Sequence, residues 1–329
     1  MNPFKNNGEI LPVASINSVY VDDIMAYNIF RPAIILQDII DHKDQLGITN
    51  VSENMSLLTI FNSLLNHELE SVRNMANDIA EKYGNRLARI LGTLYKPSFK
   101  SISNRENWTQ EHWDYWKTIR KIYLVGGLTS PILTKIFYNQ VMNYFSVLHI
   151  DDVQISFIEG SQNLGTSGLS TLLGNGNFLL FDFGQTSIKR AHHMNKHERT
   201  IIESILEPVE SKFLFYKTTD QQEILRTALL LDEFIIETIL STMNEVAYNG
   251  DTIYMSIANY ISKGVIYGAR GGYGKLSLIA ANYQEHLQYK LSKILQRDVT
   301  VYLFHDTSAM AFLFKDEPHT AVISLGTAF

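Results

Sequence analysis

The stretch LLFDFGQTSIKRA, residues 179–191, joins an apolar run to an aspartate and a turn. The continuous apolar segment 178–183 predicts a buried strand, and Gly184 gives the backbone freedom to turn directly after Asp182. Residues 187–194 are expected to return as the antiparallel partner of a hairpin. An acid at the end of a buried strand costs free energy unless a partner, a metal or water compensates it.

Two interpretations of Asp182 are open. A nucleotide site needs close backbone approach to phosphate oxygens and a carboxylate that holds Mg²⁺ through water, and Gly184 and Thr186 suit such a turn. A plain hairpin whose acid caps its own turn needs the same residue types. Taken alone, the segment favours the plain hairpin, since short motifs often match by chance. Lys189 is either a phosphate ligand or a solvated hairpin residue, and the second is favoured because an exposed lysine is readily explained.

Two other strands also end in glycines. AVISLGTAF places Gly326 and Thr327 after an apolar strand, so that a flexible backbone is followed by a hydroxyl donor. IYLVGGLTSP places the pair Gly126 and Gly127 where the missing side chains let a flat or bulky ligand approach the chain. Each turn alone is weak evidence, because ordinary strand-to-helix turns look the same.

A second acid follows the strand VTVYLF, residues 299–304. In FHDTSA, Asp306 stands just beyond that strand and before the apolar helical run SAMAFLF. Such a residue is either a helix N-cap or a carboxylate available for chemistry, and the two roles are compatible.

The elements along the chain predict an α/β protein. The first half is mainly helical, with apolar residues at threes and fours over 52–95, where Gly84 and Gly92 are expected to interrupt the helix. The second half alternates strands and helices, with strands at 178–183, 187–194, 212–217, 252–257, 299–304 and 320–325 and helices at 221–246 and 281–295. This mixture implies mixed sheets.

The composition of the chain argues against several classes of function. The 329 residues suffice for two domains or for two lobes that share a cleft. The 28 basic and 34 acidic residues give a net charge of −6, which argues against nucleic-acid binding. The absence of cysteine excludes disulfides and thiolate metal sites. No secretory signal and no apolar run of membrane-spanning length is visible, so we expect a soluble, cytoplasmic protein without a membrane partner.

Three further clusters are expected to be structural. Adjacent histidines on a strand point to opposite faces, so His192, His193 and His197 are assigned to a surface hairpin and not to a metal. The tryptophans at 108, 113 and 116 are expected to anchor a loop on the core. The glycine-rich segment GVIYGARGGYG, residues 264–274, lacks the Gly-Lys-Ser/Thr ending of a P-loop.

The motifs together resemble the actin-like ATPase superfamily and, within it, sugar kinases of the ROK (repressor, open reading frame, kinase) type. LLFDFGQTSIKRA is similar to their first phosphate motif, and AVISLGTAF to the second. VTVYLFHDTSAMAFLF is similar to the segment whose aspartate is the catalytic base, and IYLVGGL to the adenosine motif. SFIEGSQNLGTSGLSTLLG resembles the closing segment, in which glycines and alanines pack the last helix.

The order of these motifs differs from the family. There the first phosphate motif opens the chain, whereas here Gly126 precedes Asp182 and the chain stops just after Gly326. Cutting in LLGNGN, residues 172–177, and joining Phe329 to Met1 restores the family order. A rearrangement of this kind is tolerated when the old termini are close and the cut falls in a surface turn.

The resemblance therefore implies a circularly permuted α/β protein with the two-lobed actin-like, or ribonuclease H-like, fold and mixed sheets. The lobes would be residues 1–175, carrying the adenosine motif, and 176–329, carrying both phosphate motifs and the base. The Asn-Asn-Gly of MNPFKNNGEIL would be the remnant of a hairpin that follows the second phosphate motif.

By resemblance, ATP would lie between the lobes with its phosphates at the turn formed by Gly184, Gln185 and Thr186 and at the turn formed by Gly326 and Thr327. Asp182 would hold Mg²⁺ through water, and Gly126 and Gly127 would face the adenosine.

The resemblance also implies a catalytic role for Asp306, which would accept a proton from a substrate hydroxyl attacking the γ-phosphate. Asn259, Arg270 and His305 are candidate substrate contacts. The substrate would be a small sugar-like molecule, and dimers are common in the family, so a homodimer is also an expectation.

Several positions depart from the family pattern. Gln185 replaces a glycine, His305 replaces the asparagine before the base, and Phe329 stands where a glycine would follow. The family's Glu-x-Gly-His segment and its zinc-binding cysteines are absent from the sequence. The leading hypothesis is an ATP-dependent sugar kinase, and the alternative is a non-catalytic nucleotide- or sugar-binding sensor or scaffold on the same fold.

Overall fold

The computed structural model describes residues 2–6, 9–49, 57–158, 163–197, 199–214, 219–267 and 272–325. The chain forms two compact units. The first comprises Met1–Phe4, Val13–Ser161 and Glu317–Phe329, and the second comprises Lys5–Pro12 and Gln162–Asp316. These bounds differ from the predicted lobes, 1–175 and 176–329, because the last strand of the chain pairs within the first unit.

The secondary structure of the described residues is given in chain order. The strands are β1 Lys5–Asn6, β2 Glu9–Ile10, β3 Tyr20–Val21, β4 Ile24–Met25, β5 Lys121–Val125, β6 Gln154–Phe157, β7 Gly176–Phe183, β8 Ser187–Lys196, β9 Arg199–Glu210, β10 Thr252–Ile257, β11 Ile261–Ser262, β12 Val265–Ile266, β13 Thr300–His305 and β14 Thr320–Ser324. The α-helices are α1 Ala26–Ile29, α2 Pro32–Asp41, α3 Leu57–Leu64, α4 Glu70–Tyr95, α5 Phe99–Asn104, α6 Gln110–Trp116, α7 Pro131–Val147, α8 Leu164–Ser170, α9 Gln221–Glu245, α10 Tyr283–Leu295 and α11 Asp306–Ala311.

The second unit is built on a five-stranded mixed sheet in the order β13-β10-β7-β8-β9. The strands β7, β8 and β9 form an antiparallel meander, whereas β10 and β13 run parallel to β7. Parallel neighbours need crossover connections, and α9 and α10 supply them. The predicted mixed α/β class is therefore confirmed.

Both faces of this sheet are covered. On one face, alternate residues of β7 such as Leu179 and Phe181 pack with Leu231 and Ile235 of α9 in one buried cluster. On the other face, Leu180 packs in a smaller cluster with residues of α8 and α11. A central strand buried on both sides explains why β7 is a continuous apolar run in the sequence.

The first unit contains a three-stranded parallel sheet in the order β14-β5-β6. Its core includes the long helix α4, the helix α7 and the buried tryptophans at 108, 113 and 116. The assignment of those tryptophans to the core is confirmed.

The helical prediction for residues 52–95 needs a correction. Two helices, α3 and α4, share this segment, and the glycines do not interrupt α4. A Cβ at Gly84 would lie 2.9 Å from the Cγ of Gln140, and one at Gly92 would lie 2.7 Å from the Cε1 of Tyr144. Both contacts are with α7, so these glycines allow two helices to pack closely.

The prediction of a strand at residues 212–217 is wrong for those of its residues that the structure describes. Residues 211–214 have no strand structure, and 215–218 lie outside the described residues. The third strand of the meander is β9, which precedes them. His192 and His193 of β8 are buried, at 7% and 6% exposed, so their assignment to a surface hairpin is also wrong.

Two smaller expectations can be compared with the fold. The strands β1 and β2 pair as an antiparallel hairpin, as MNPFKNNGEIL predicted, although its turn residues 7–8 are outside the described part of the chain. Within the described residues, no helix combines the length and the apolar character needed to cross a membrane.

Candidate functional site

Three parallel strands of the second unit end at the same edge of the sheet. Asp182 of β7 is in register with Ser256 of β10, and one residue further along β10, Ile257 is in register with His305 of β13. Asp306 follows immediately as the first residue of α11. In open α/β sheets, ligands bind outside the carboxyl ends of such strands. Both predicted acids therefore lie where a ligand site is expected.

Asp182 is buried at this edge, with 3% of its surface exposed. The hydroxyl of Ser256 donates a hydrogen bond to its Oδ1 over 2.8 Å. Burial raises the pKa of the Asp182 carboxyl to about 6, the Lys189 ammonium opposes this rise, and the charge of Asp306 adds to it. The charge of Asp306 therefore acts on the Asp182 carboxyl.

Lys189 is a residue that the sequence reasoning considered as a phosphate ligand but assigned to the solvated surface. It is the cross-strand partner of Asp182 in the β7–β8 hairpin and is half-buried, so its assignment to a solvated surface is wrong. Directly paired residues of antiparallel strands project on the same face. The predicted hairpin already contained this signal, since pairing Phe183 with Ile188 places Lys189 opposite Asp182.

The turn after Asp182 is held from several directions. The carbonyl oxygen of Gly184 accepts hydrogen bonds from the hydroxyl of Ser211 over 2.8 Å and from that of Tyr273 over 2.9 Å. The backbone N–H of Ser211 donates to the carbonyl of Thr186 over 3.1 Å. A Cβ at position 184 would lie 2.9 Å from the Ser187 carbonyl oxygen and 3.2 Å from the Lys189 ammonium. Gly184 is thus required by close packing.

Two predicted residues of this turn differ in exposure. Gln185 is half-buried and Thr186 is exposed. The turn closes the β7–β8 hairpin, as the plain interpretation also required, but the Asp182 carboxylate receives its Ser256 hydrogen bond from a different strand. The acid is therefore tied to the sheet at the point where three strands end.

Helix α8 covers Asp182. A Cβ at Gly165 would lie 2.5 Å from the Cγ of Asp182, and one at Gly168 would lie 1.8 Å from the carbonyl oxygen of Ala309 in α11. The glycines of the segment SFIEGSQNLGTSGLSTLLG that fall in α8 therefore allow it to approach both the acid and the helix that carries Asp306. Residues 159–162 of this segment lie outside the described residues.

Asp306 is the second acid of the site, and His305 lies beside it. The Nε2 of His305 lies 3.0 Å from Oδ1 of Asp306. The backbone N–H of Thr307 donates to the same oxygen over 2.7 Å, and its hydroxyl lies 3.3 Å away. His305, and not Asp306, occupies the N-cap position of α11. Asp306 therefore does not have the capping role that the sequence left open.

The remaining predicted residues are distributed over the chain. Asn259 is buried, with 6% exposed, just beyond β10. Gly126 and Gly127 follow β5 in the first unit, where Gly126 has a φ of +114° that glycine adopts readily. A Cβ at Gly127 would meet no atom within 4 Å, so one face of this turn is open. Gly326, Thr327, Phe329 and Arg270 lie outside the described residues.

The donor set can be compared with the needs of Mg²⁺. In the part of the chain that the structure describes, no three His, Asp or Glu side chains cluster as a metal site. A Mg²⁺ bound with a nucleotide needs no such cluster, because it keeps several waters and uses one or two carboxylates together with phosphate oxygens. Asp182 fits this mode as a ligand through water, and Lys189 supplies a cation beside it.

Comparisons with known proteins add little to this geometry. No protein-family model matches the chain, and no curated protein matches it. Among solved structures, the chain is similar to a Bacteroides thetaiotaomicron protein described as having an actin-like ATPase fold and unknown function. The two share 9% sequence identity over 69% of this chain and 80% of that one. The TM-score of 0.28 is too low to establish a shared fold.

Proposed function

We propose that this protein is an ATP-dependent phosphotransferase that acts on a hydroxyl of a sugar or similar small molecule. The observation that carries the proposal is the convergence of Asp182, Lys189 and Asp306 at the carboxyl ends of β7, β10 and β13, beside the turn at Gly184. Two acids, a cation and a tightly held turn are the groups that phosphoryl transfer requires of a protein.

The proposal includes an actin-like fold of ROK type with a circularly permuted chain. Joining Phe329 to Met1 would make the first unit a nearly continuous stretch of chain. Residues 317–329 would lead directly into 1–4, and residues 5–12, which belong to the second unit, would be the one interruption before 13–161. The second unit would then run from 162 to 316 with only residues 5–12 added. This simplification supports the permuted order that the motifs imply.

Each residue has a distinct proposed role. Asp306 accepts the proton of the acceptor hydroxyl as it attacks the γ-phosphate. Asp182 holds Mg²⁺ through water, and the Lys189 ammonium attracts a phosphate oxygen. The turn at Gly184 lets the backbone approach the phosphates. Bound Mg²⁺ would neutralise charge on the phosphates.

A second candidate function has its own support. Asp182 is only 3% exposed beneath α8, and the positions of Gln185 and His305 depart from the family pattern. A protein in which the acid cannot reach a metal would bind a nucleotide or sugar without turnover. This alternative is a sensor or scaffold on the same fold.

The test is ADP release from Mg·ATP across a panel of hexoses, amino sugars and polyols. Asp306→Asn removes the proposed base, and Asp298→Asn is a matched control because Asp298 is exposed near the opposite end of β13. We expect acceptor-dependent release that falls by about 10²-fold or more in Asp306→Asn and persists in the control.

The other outcomes separate the alternatives. If ATP raises the melting temperature but no compound stimulates ADP release, the sensor is favoured and the phosphotransferase is rejected. If ATP neither binds nor turns over, both proposals fail.

A further inference from the structure

The glycine-rich segment GVIYGARGGYG, residues 264–274, reaches the candidate site through a tyrosine. Tyr273 stands near the end of this segment, is 1% exposed, and donates a hydrogen bond from its hydroxyl to the carbonyl oxygen of Gly184 over 2.9 Å. The segment lacks the ending of a P-loop, and its residues 268–271 lie outside the described residues. Tyr273 therefore gives this part of the chain a contact with the turn that follows Asp182.

A second hydroxyl reaches the same carbonyl from the end of β9. The hydroxyl of Ser211 donates to the Gly184 carbonyl oxygen over 2.8 Å, and the backbone N–H of Ser211 donates to the carbonyl of Thr186 over 3.1 Å. The N–H of Gly184 donates to the carbonyls of Asp182 over 3.1 Å and of Ser187 over 3.2 Å. Both polar groups of the Gly184 backbone therefore have partners within the protein.

The two segments that carry these hydroxyls are locked together. The ammonium of Lys275, which is 3% exposed, donates to the backbone carbonyls of Phe213 and Leu214, the second over 3.1 Å. A Cβ at Gly272 would lie 2.6 Å from the Cβ of Leu214, so the backbones approach each other closely. The segment after β9 and the end of the glycine-rich segment thus form one support beneath the turn.

The peptide group between Gly184 and Gln185 transmits this support to the other side of the turn. A trans peptide is planar, and its C=O and N–H point in opposite directions. The two hydroxyls that hold the Gly184 carbonyl therefore direct the Gln185 N–H away from the support. No backbone carbonyl of the described residues accepts a hydrogen bond from this N–H. Backbone N–H groups in turns form concavities that bind anions.

We propose that Tyr273 and Ser211 are positioning residues, which hold the peptide between Gly184 and Gln185 so that the Gln185 N–H is presented to a phosphate oxygen of the bound nucleotide. The inference rests on the proposed function, which places the ATP phosphates at this turn. Without the two hydroxyls the peptide can rotate, and the N–H loses its direction. The glycine-rich segment then supports the turn and does not contact the phosphates through a loop of its own.

The chain offers matched variants for this test. Tyr273→Phe and Ser211→Ala each remove one hydroxyl from the Gly184 carbonyl, and the double variant removes both. Ser211→Thr keeps a hydroxyl at its position. The control is Tyr283→Phe, because Tyr283 is 0% exposed and its hydroxyl donates to Oδ1 of Asp232 over 2.8 Å. It loses a buried tyrosine hydroxyl of the same unit that does not contact the turn.

The first readout is the Kd of Mg·ATP by titration calorimetry. We expect each single loss of a hydroxyl to weaken binding by about 3- to 10-fold and the double variant by about 10-fold or more, while Ser211→Thr and Tyr283→Phe stay within about twofold of the wild type. A double variant that binds as tightly as the wild type, or a control that weakens equally, would overturn the proposal. Weaker binding in the double variant alone, with no ADP release from any protein, would reject the phosphotransferase and retain the positioning role.

A second readout needs no ligand. Amide hydrogen exchange is measured by NMR at Gly184, with Leu180 of β7 as the internal reference. We expect the double variant to exchange at Gly184 at least about 10-fold faster relative to Leu180, and Tyr283→Phe to match the wild type. Unchanged exchange at Gly184 would overturn the anchoring of the turn. If the wild type does not bind Mg·ATP, the proposed function and the phosphate role both fail, and faster exchange would then show a structural anchor only.

Discussion

At the scale of single residues, the buried carboxylate of Asp182 lowers the stability of the folded protein while it supplies an acid to the candidate site. A carboxylate with 3% exposure, one hydroxyl donor and a nearby lysine is incompletely compensated for its loss of water, and burial accordingly raises its pKa to about 6. Residues with strongly perturbed pKa values concentrate at functional sites. A purely structural position would gain stability by replacing this acid.

Asp182→Asn is therefore expected to stabilise the protein at neutral pH. The folded state prefers the protonated acid, so the cost of the carboxylate is fully present above pH 6 and disappears as the pH falls below the unfolded value near 3.8. We expect a gain of about 1–3 kcal/mol in the free energy of unfolding at pH 7.5, shrinking towards pH 4.5, by urea denaturation. A variant that is less stable than the wild type at pH 7.5 would contradict this account, and Asp298→Asn serves as the exposed control.

At the scale of elements, glycines determine how closely helices approach. Gly84 and Gly92 let α4 pack on α7, and Gly165 and Gly168 let α8 pack on Asp182 and α11. In the sequence Gly84 and Gly92 suggest helix breaks, because glycine has poor helix propensity. The packing shows a different use: each missing Cβ gives space to an atom of a neighbouring element.

Gly168→Ala tests this use of glycine in α8. The new Cβ would lie 1.8 Å from the carbonyl oxygen of Ala309, which is backbone and cannot rotate away. We expect a loss of about 3 kcal/mol or more in the free energy of unfolding, despite the better helix propensity of alanine, and a smaller thermal shift with ATP.

The control for this substitution is Gly174→Ala, just beyond the same helix, where a Cβ would meet no atom within 4 Å. Its free energy of unfolding should change by about 0.5 kcal/mol or less. If Gly168→Ala were as mild as this control, the close approach of α8 and α11 would be refuted.

At the scale of the whole molecule, the chain order and the units do not coincide. The first unit is assembled from both ends of the chain, because β14 pairs in parallel with β5. Residues 174–176 are exposed and lie between α8 and β7. In the proposed unpermuted order, the two ends of the chain would lie here.

A chain re-permuted at this place is expected to fold. Opening it between Gly174 and Asn175 and joining Phe329 to Met1 through about 15–20 Gly/Ser residues should leave a single cooperative transition, with a melting temperature within about 10 °C of the original. The control opens β7 between Leu180 and Phe181, which would break the central strand of the sheet and is expected to abolish folding. Loss of folding in the first chain as well would argue against the permuted order.

By itself, the sequence determined the local elements that carry their own periodicity. The strands near 178–183, 252–257 and 299–304 and the helices near 221–246 and 281–295 were predictable because their apolar patterns depend on neighbours in the chain. Asp182 and Asp306 were candidates for the same reason, since each follows a readable strand.

Only the tertiary structure decided which residues meet. β9 was missed because its alternation is weak and its strand character comes from pairing with β8. Two histidines assigned to the surface, His192 and His193, are buried in the folded protein. Tyr273 and Ser211 joined the site through contacts with Gly184. Such contacts depend on residues distant along the chain, so no local pattern of the sequence records them.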